Sequence, residues 1–225
     1  MAGSVASGFT RRTEEHAVDP SDDRRVANPT LSKAAVVGIA SDERLTSAGR
    51  VSLRRFTESD TAALFATFSH PEVMRYWSRP AMTDIAEAKA LIEHILADYE
   101  TGDNLPLAIE RNSDLIFVGH CTLHHLHAAS RRAEIGYALA RPYWGKGYMH
   151  EALQTLLRFA FERLDLNRLE ADIDPRNVPS ARSLERLGFV KEGLLRERWI
   201  VNGEVSDTGF YGLLRRDWLQ GRRDG

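Results

Sequence analysis

Of 225 residues only one is cysteine, Cys121, which rules out an internal disulfide and a cysteine-rich zinc site and suits a reducing compartment. Long apolar runs are missing as well. The longest, residues 34–40, falls far short of the roughly 18–20 residues that cross a bilayer. The N-terminus has neither the apolar core nor the small-residue cleavage pattern of a signal peptide. A cytoplasmic protein with no membrane partner is expected. Thirty Lys and Arg against 32 Asp and Glu leave a net charge of −2, so no overall positive field gathers nucleic acid, and no strong helix carries a basic patch. An anionic ligand has to be met locally.

What is present supports a folded core: 43% of residues are hydrophobic and 28% charged, ordinary values for a globular domain. The first 48 residues differ from the rest. Through Asn28 they are rich in Ser, Asp, Arg and Gly without helix or strand period, and 1–48 reads as a poorly ordered extension in which 31–39 is able to add one short element. A regular pattern then runs over 49–217, followed by a tail at 218–225. Val51 and Leu53 alternate with polar neighbours as in a strand, and Thr57 to Asp60 has capping-box spacing before a helix. Asp84 and Glu87 open a second helix with one apolar stripe, closed by Gly102. Strands are predicted at 105–109, 115–123 and 134–139, then a strong helix over 148–164, a strand at 168–173 and a short helix over 179–187. Two last strands, 189–200 and 205–214, join through Asn202-Gly203, a type I′ hairpin signal. One mixed α/β (α+β) domain follows.

The segment Tyr143-Trp144-Gly145-Lys146-Gly147-Tyr148 lies between a predicted strand and the strongest helix. Glycines there let backbone N–H groups turn toward one point, and a helix start adds unpaired donors and a positive dipole end, so a phosphate fits. The spacing excludes a Walker A loop, and the dinucleotide fingerprint needs a third Gly where His150 stands. On spacing alone a plain tight turn remains an equal reading.

A second element about thirty residues on tips that balance. Phe56 to Asp60, His70 to Trp77, Ala133 to Tyr137, the Trp-Gly-Lys-Gly-Tyr turn, Asn177 to Phe189 and the closing hairpin occur in one order with sensible gaps. In these six pieces the chain resembles the GNAT superfamily of acyl-CoA-dependent N-acetyltransferases, and within it the branch holding the bacterial ribosomal-protein N-terminal acetyltransferases. The resemblance implies the GNAT fold, a central mixed sheet of about six or seven strands flanked by helices, with acetyl-CoA as cosubstrate. It implies that Trp144, Gly145, Lys146, Gly147 and Tyr148 hold the pyrophosphate. It further implies that Ala138 and Leu139 pair with the pantetheine arm, that Asn177, Ser180 and Arg182 line its other side, and that Tyr76 and Trp77 wall the acceptor pocket. Two positions depart from the family pattern. Pro142 replaces a Gln or Arg, and Leu184 stands where many members place a proton-donating Tyr.

The implied chemistry is direct attack of a primary amine on a thioester, without a covalent enzyme intermediate, so Cys121 is not needed. An α-amine, with a pKa of about 7.7–8, loses its proton more readily than a lysine at about 10.4. Glu134 is the best carboxylate for a base or amine-orienting role and Ser180 the nearest family-matched hydroxyl for the leaving thiolate. The leading acceptor is a protein or peptide N-terminal amine. Small polyamines or aminoglycosides, and a non-catalytic acyl-CoA-binding module, are the rivals; homodimers are common among relatives. His120, Cys121, His124, His125 and His127 suggest a metal at first sight, yet strict strand alternation sends His120 and His124 one way and Cys121, His125 and His127 the other. No compact three-ligand site, and no metal, is expected.

Overall fold

The computed structural model describes residue 39 and residues 42–46, 49–102 and 104–222. Its eight strands are β1 Arg44–Thr46, β2 Val51–Arg54, β3 Leu105–Arg111, β4 Ile116–His127, β5 Arg132–Leu139, β6 Arg168–Ile173, β7 Val190–Val201 and β8 Glu204–Leu214. Six α-helices accompany them: α1 Thr61–Phe68, α2 Pro71–Met74, α3 Ile85–Thr101, α4 Tyr148–Arg158, α5 Val178–Arg186 and α6 Arg215–Gly221. The strands form one sheet in the order β1-β2-β3-β4-β5-β6-β8-β7. Among the described residues only β5 and β6 run parallel; α4 is the crossover that parallel neighbours require.

Local chemistry sets the helix ends. Asp84 accepts from Ala86 N at 2.8 Å, Glu87 reaches back to Asp84 N at 3.1 Å, and Gly102 closes α3 with φ 68°. Asn202 and Gly203 both take positive φ, 51° and 83°, as a type I′ turn requires. The predicted helix over 148–164 is helical through Arg163, but its last turn, Phe159–Arg163, widens to a π turn in which Leu164 N donates to Phe159 O at 3.1 Å.

Two boundaries move. Residues 44–46, assigned above to the N-terminal extension, form β1 and pair with β2, with Leu45 buried opposite Leu53; this is the eighth strand beyond the expected six or seven. Ile39 is buried too, while 1–38 and the element expected from residue 31 lie outside the described residues. At the other end, α6 turns Trp218 of the expected tail against Phe161, ring centroids 5.1 Å apart.

The feature that positions the site is an incomplete pairing. β5 registers with β6 only at Arg132, Ala133 and Glu134, opposite Arg168, Leu169 and Glu170. Beyond Glu134 the strands part, β5 staying on β4 and β6 on β8. The sheet opens there.

Candidate active site

The glycine turn is built as a cradle. Gly145 and Gly147 stand at φ 74° and 81°, left-handed conformations that cost a residue with a Cβ about 1–2 kcal/mol. A Cβ on Gly145 would meet nothing within 4 Å, so that side is open. One on Gly147 would stand 3.1 Å from the Arg50 guanidinium. Arg50 holds the turn from behind, donating to Lys146 O at 2.8 Å and to Glu151 Oε1 at 2.8 Å. The first bond of α4 runs from Glu151 N to Gly147 O, so the preceding N–H groups of its first turn have no partner within the helix. Trp144 Nε1 donates to Leu139 O at 2.8 Å and fixes the turn to the end of β5. The Lys146 ammonium lies on Pro142 O at 2.9 Å, folded onto its own loop.

Beside the cradle, the β5 edge is free where β6 has parted. Ala140 N donates to Val118 O, and backbone direction alternates along a strand, so Ala138 also points its N–H and C=O toward β4. Tyr137 and Leu139 present theirs to the opening. Ala138, expected to pair with the arm, thus turns its backbone groups away from the opening, and Tyr137 and the Leu139 N–H face it; the Leu139 carbonyl already serves Trp144. A free strand edge ending at an open anion cradle is the shape that an extended amide-bearing arm with a pyrophosphate fits.

The opening leads into a cavity of about 600 Å³ lined by Tyr76, Trp77, Glu134, Tyr137, Asn177 and Ser180 among others. Five residues chosen from sequence, Tyr76, Trp77, Glu134, Asn177 and Ser180, thus meet in one place. Arg182 is exposed on α5 and does not line the cavity. Trp77 also packs edge-on against Phe68, centroids 5.1 Å apart, so it is wall and core at once. Tyr76 carries the guanidiniums of Arg75 and Arg176 at 5.2 and 5.8 Å from its ring.

One expectation is corrected at Glu134. Strand alternation was to separate His124 from His125, but His125 adopts φ 51° and the β4–β5 register slips between His124 and His127. This bulge turns both imidazoles to one carboxylate. His124 Nε2 lies 3.5 Å from Glu134 Oε2 and His125 Nδ1 3.1 Å from Oε1. Hydrogen bonds from His124, with a smaller share from His125, outweigh burial and lower the Glu134 pKa to about 2. Glu134 is therefore a carboxylate at neutral pH and too weak a base to hold an amine's proton. Burial, then the Glu134 charge, pushes Asp172 on the facing β6 up.

Two residues of the site carry no expected role in the sequence. Tyr137 joins its phenol to Ser180 Oγ at 2.7 Å, and burial raises its pKa to about 12, so it keeps its proton. Asn177 caps α5, accepting from Ser180 N at 3.2 Å, while Leu184 is fully buried and offers no acid. Tyr137 is legible only as part of the Ala133–Tyr137 piece; its partner lies 43 residues away. Asp172 has no motif at all.

The comparisons agree with this geometry. Residues 50–190 match a family profile described as an acetyltransferase (GNAT) domain. The uncharacterized N-acetyltransferase p20 of Bacillus licheniformis is 35% identical over 171 residues, 75% of this chain and 95% of its own. The [ribosomal protein uS5]-alanine N-acetyltransferase of Escherichia coli is 34% identical over 88 residues, 39% of this chain and 45% of its own. Among solved structures, Mycobacterium smegmatis RimJ in complex with CoA-disulfide superposes with a TM-score of 0.67 at 27% identity, covering 77% of this chain and 90% of that one. The chain belongs to the GNAT family of acetyltransferases and is an acetyl-CoA-dependent N-acetyltransferase.

Proposed function

We propose that the acceptor is the α-amino group at a protein or peptide N-terminus. The observation that carries this is the charge pattern of the cavity. Its lining brings Glu134, Asp172, Asp174 and Glu204 together with Arg75, Arg79, Arg176 and Arg198. Arg176 is bound by Asp174 and Glu204. In this reading one cation meets the Glu134 and Asp172 carboxylates, and the carbonyls of the following residues meet arginine donors of the same lining. A polyamine would bring further cations against the same arginines.

Acid–base balance points the same way. At neutral pH a group of pKa about 8 is neutral roughly two hundred times more often than one of about 10.4, and Glu134 is not a strong enough base to offset that. Similarity to the uS5-alanine enzyme, whose named substrate is a protein alanine, adds support.

Acetyl-CoA supplies the activated acyl group as a thioester. In this reading the backbone of Trp144 to Tyr148 takes the pyrophosphate and the free edge at Tyr137 and Leu139 takes the pantetheine amides, with Asn177 and the outer face of Arg182 beside it. Glu134 orients the incoming ammonium between Tyr76 and Trp77, and the proton leaves through water or an adjacent imidazole. Tyr137 donates to Ser180 Oγ, which frees the serine's own proton to point at the departing sulfur. The amine nitrogen bonds to the acyl carbon and gives up its second proton to water, the carbon–sulfur bond breaks, and the sulfur leaves as a thiolate that takes up a proton to become the free thiol of coenzyme A.

The expected result is a kcat/KM at least about tenfold higher for an N-terminal Ala or Ser peptide than for spermidine at pH 7.5, worth about 1.4 kcal/mol. Thiol release measured with both acceptors checks it. Equal or better turnover of spermidine would replace this reading by the polyamine one.

A further inference from the structure

We propose that His124, His125 and Glu134 form a binding site for a single zinc-type divalent transition-metal ion at the floor of the acceptor pocket. Consecutive strand residues normally face opposite ways, and here the left-handed His125 and the one-residue slip in register bring two imidazoles onto one carboxylate. Histidine in that conformation, unmarked by glycine or asparagine, is the sort of backbone outlier that clusters at ligand sites.

The spacing is that of a ligand set. Tetrahedral zinc with nitrogen and oxygen donors at roughly 2.0–2.2 Å holds those donors roughly 3.3–3.5 Å apart. The two imidazoles stand 3.5 and 3.1 Å from the Oε2 and Oε1 of the same carboxylate, and one ligand atom from each of the three residues lies within 4.8 Å of the others. Rotation of the exposed His125 ring closes the remaining distance. Two imidazoles and one carboxylate suit zinc, nickel or copper and not magnesium or calcium, which want oxygen alone. Three protein ligands leave a fourth position, and the ligands line the cavity, so that position faces the space where the amine enters. Asp172 stands across the same cavity as an outer carboxylate. The imidazoles must be neutral to bind, and side-chain exposures of 31%, 70% and 22% for His124, His125 and Glu134 let an ion reach them from solvent.

Resting on the active-site reading, one consequence follows: a bound ion occupies the carboxylate that orients the amine, so zinc competes with the acceptor and not with acetyl-CoA. The test uses the full chain stripped with EDTA and titrated calorimetrically with zinc chloride, with magnesium chloride as comparison. One equivalent of zinc is expected to bind saturably, magnesium not to bind, and affinity to fall at least about tenfold in His124→Ala, in His125→Asn and in Glu134→Gln. His125→Asn keeps a residue that tolerates left-handed φ, and thermal melts of the metal-free variants show that each is folded. The His94→Ala variant, altered on the distant α3, is expected to bind as the parent does. No saturable binding, or binding equal in parent and all three site variants, overturns the proposal. The calorimetry needs no turnover, so failure of acetyl transfer would refute the active-site reading without touching this result. With turnover, zinc is expected to raise KM for the peptide and leave KM for acetyl-CoA unchanged; the reverse pattern would overturn the assigned place.

Discussion

Replacing Arg54 by methionine is expected to destabilise the fold by about 3–5 kcal/mol, the cost of leaving a buried charge without its partner. Arg54 stands on β2 with its guanidinium between two carboxylates. Its Nε donates to Glu110 on β3 at 2.6 Å, and both terminal nitrogens reach Asp60, ahead of α1, at 2.8 Å. Asp60 and Glu110 are only 4% and 3% exposed, so methionine fills the volume while the charges lose their counter-ion. Glu110 keeps a second donor in Arg44 at 3.0 Å; Asp60 keeps only the Thr57 N–H and hydroxyl at 2.9 and 3.3 Å. Most of the loss therefore falls on Asp60.

Its sign with pH is fixed by the same contacts. Burial pushes the Asp60 carboxyl up, but the hydrogen bonds from Arg54 and Thr57 outweigh it and hold the carboxyl below its usual range. That stabilisation is present above the unfolded carboxyl's pKa and disappears as pH falls through the folded one. The gap between parent and Arg54→Met is thus expected to be widest near neutrality and to shrink in acid. Guanidinium unfolding at pH 7 and pH 3 checks it. A loss under about 1 kcal/mol at pH 7 would mean that the triad is solvated and ordinary.

His120 is expected to make the protein lose about 3 kcal/mol of stability between pH 7 and pH 4 that His120→Leu does not lose. The imidazole sits mid-strand on β4, 7% exposed, against the rings of Phe56, Phe68 and Trp77, and its Nδ1 has no hydrogen-bond partner. Burial, helped by the charge of Arg79, lowers its pKa to about 4 from 6.5. The unfolded chain therefore binds the proton first as pH drops. Stability declines from about pH 6.5 down to about 4 and then levels off, a span of roughly 3 kcal/mol. Leucine removes both the titration and the unsatisfied nitrogen, and the acid sensitivity contributed by Asp60 and Glu134 cancels in the comparison. Parallel stability curves for the two proteins would show that water reaches His120.

His120 lies under the pocket wall that Trp77 forms, which links fold stability to the acceptor site. The parts of that site legible in the sequence are those fixed by local rules. The two glycines before α4, the Asp84–Glu87 box and Asn202-Gly203 each demand one backbone conformation, and each takes it. The apolar stripe of α4 likewise ends buried, with Ala152, Leu153 and Leu156 at 0% exposure. What escaped was set by pairing between distant segments. Strand parity predicts side-chain direction only while register holds, so the bulge at His125 hid the His–Glu–His group. The parting of β5 from β6 after Glu134 depends on pairing between residues 36 positions apart in sequence. Tyr137 and Ser180 meet only because the opening brings α5 over β5. β1 escaped because three residues are too few to show a period.

Under the proposed function, the opening between β5 and β6 delivers an acetyl group to an N-terminal amine. The most direct measurement offers one peptide bearing both a free α-amine and an internal lysine, with acetyl-CoA, and locates the acetyl group by fragmentation mass spectrometry. Acetylation of the α-amine, accompanied by one thiol released per peptide modified, is the predicted result. Acetyl found on the lysine alone, or thiol released with no acetylated peptide, would contradict it.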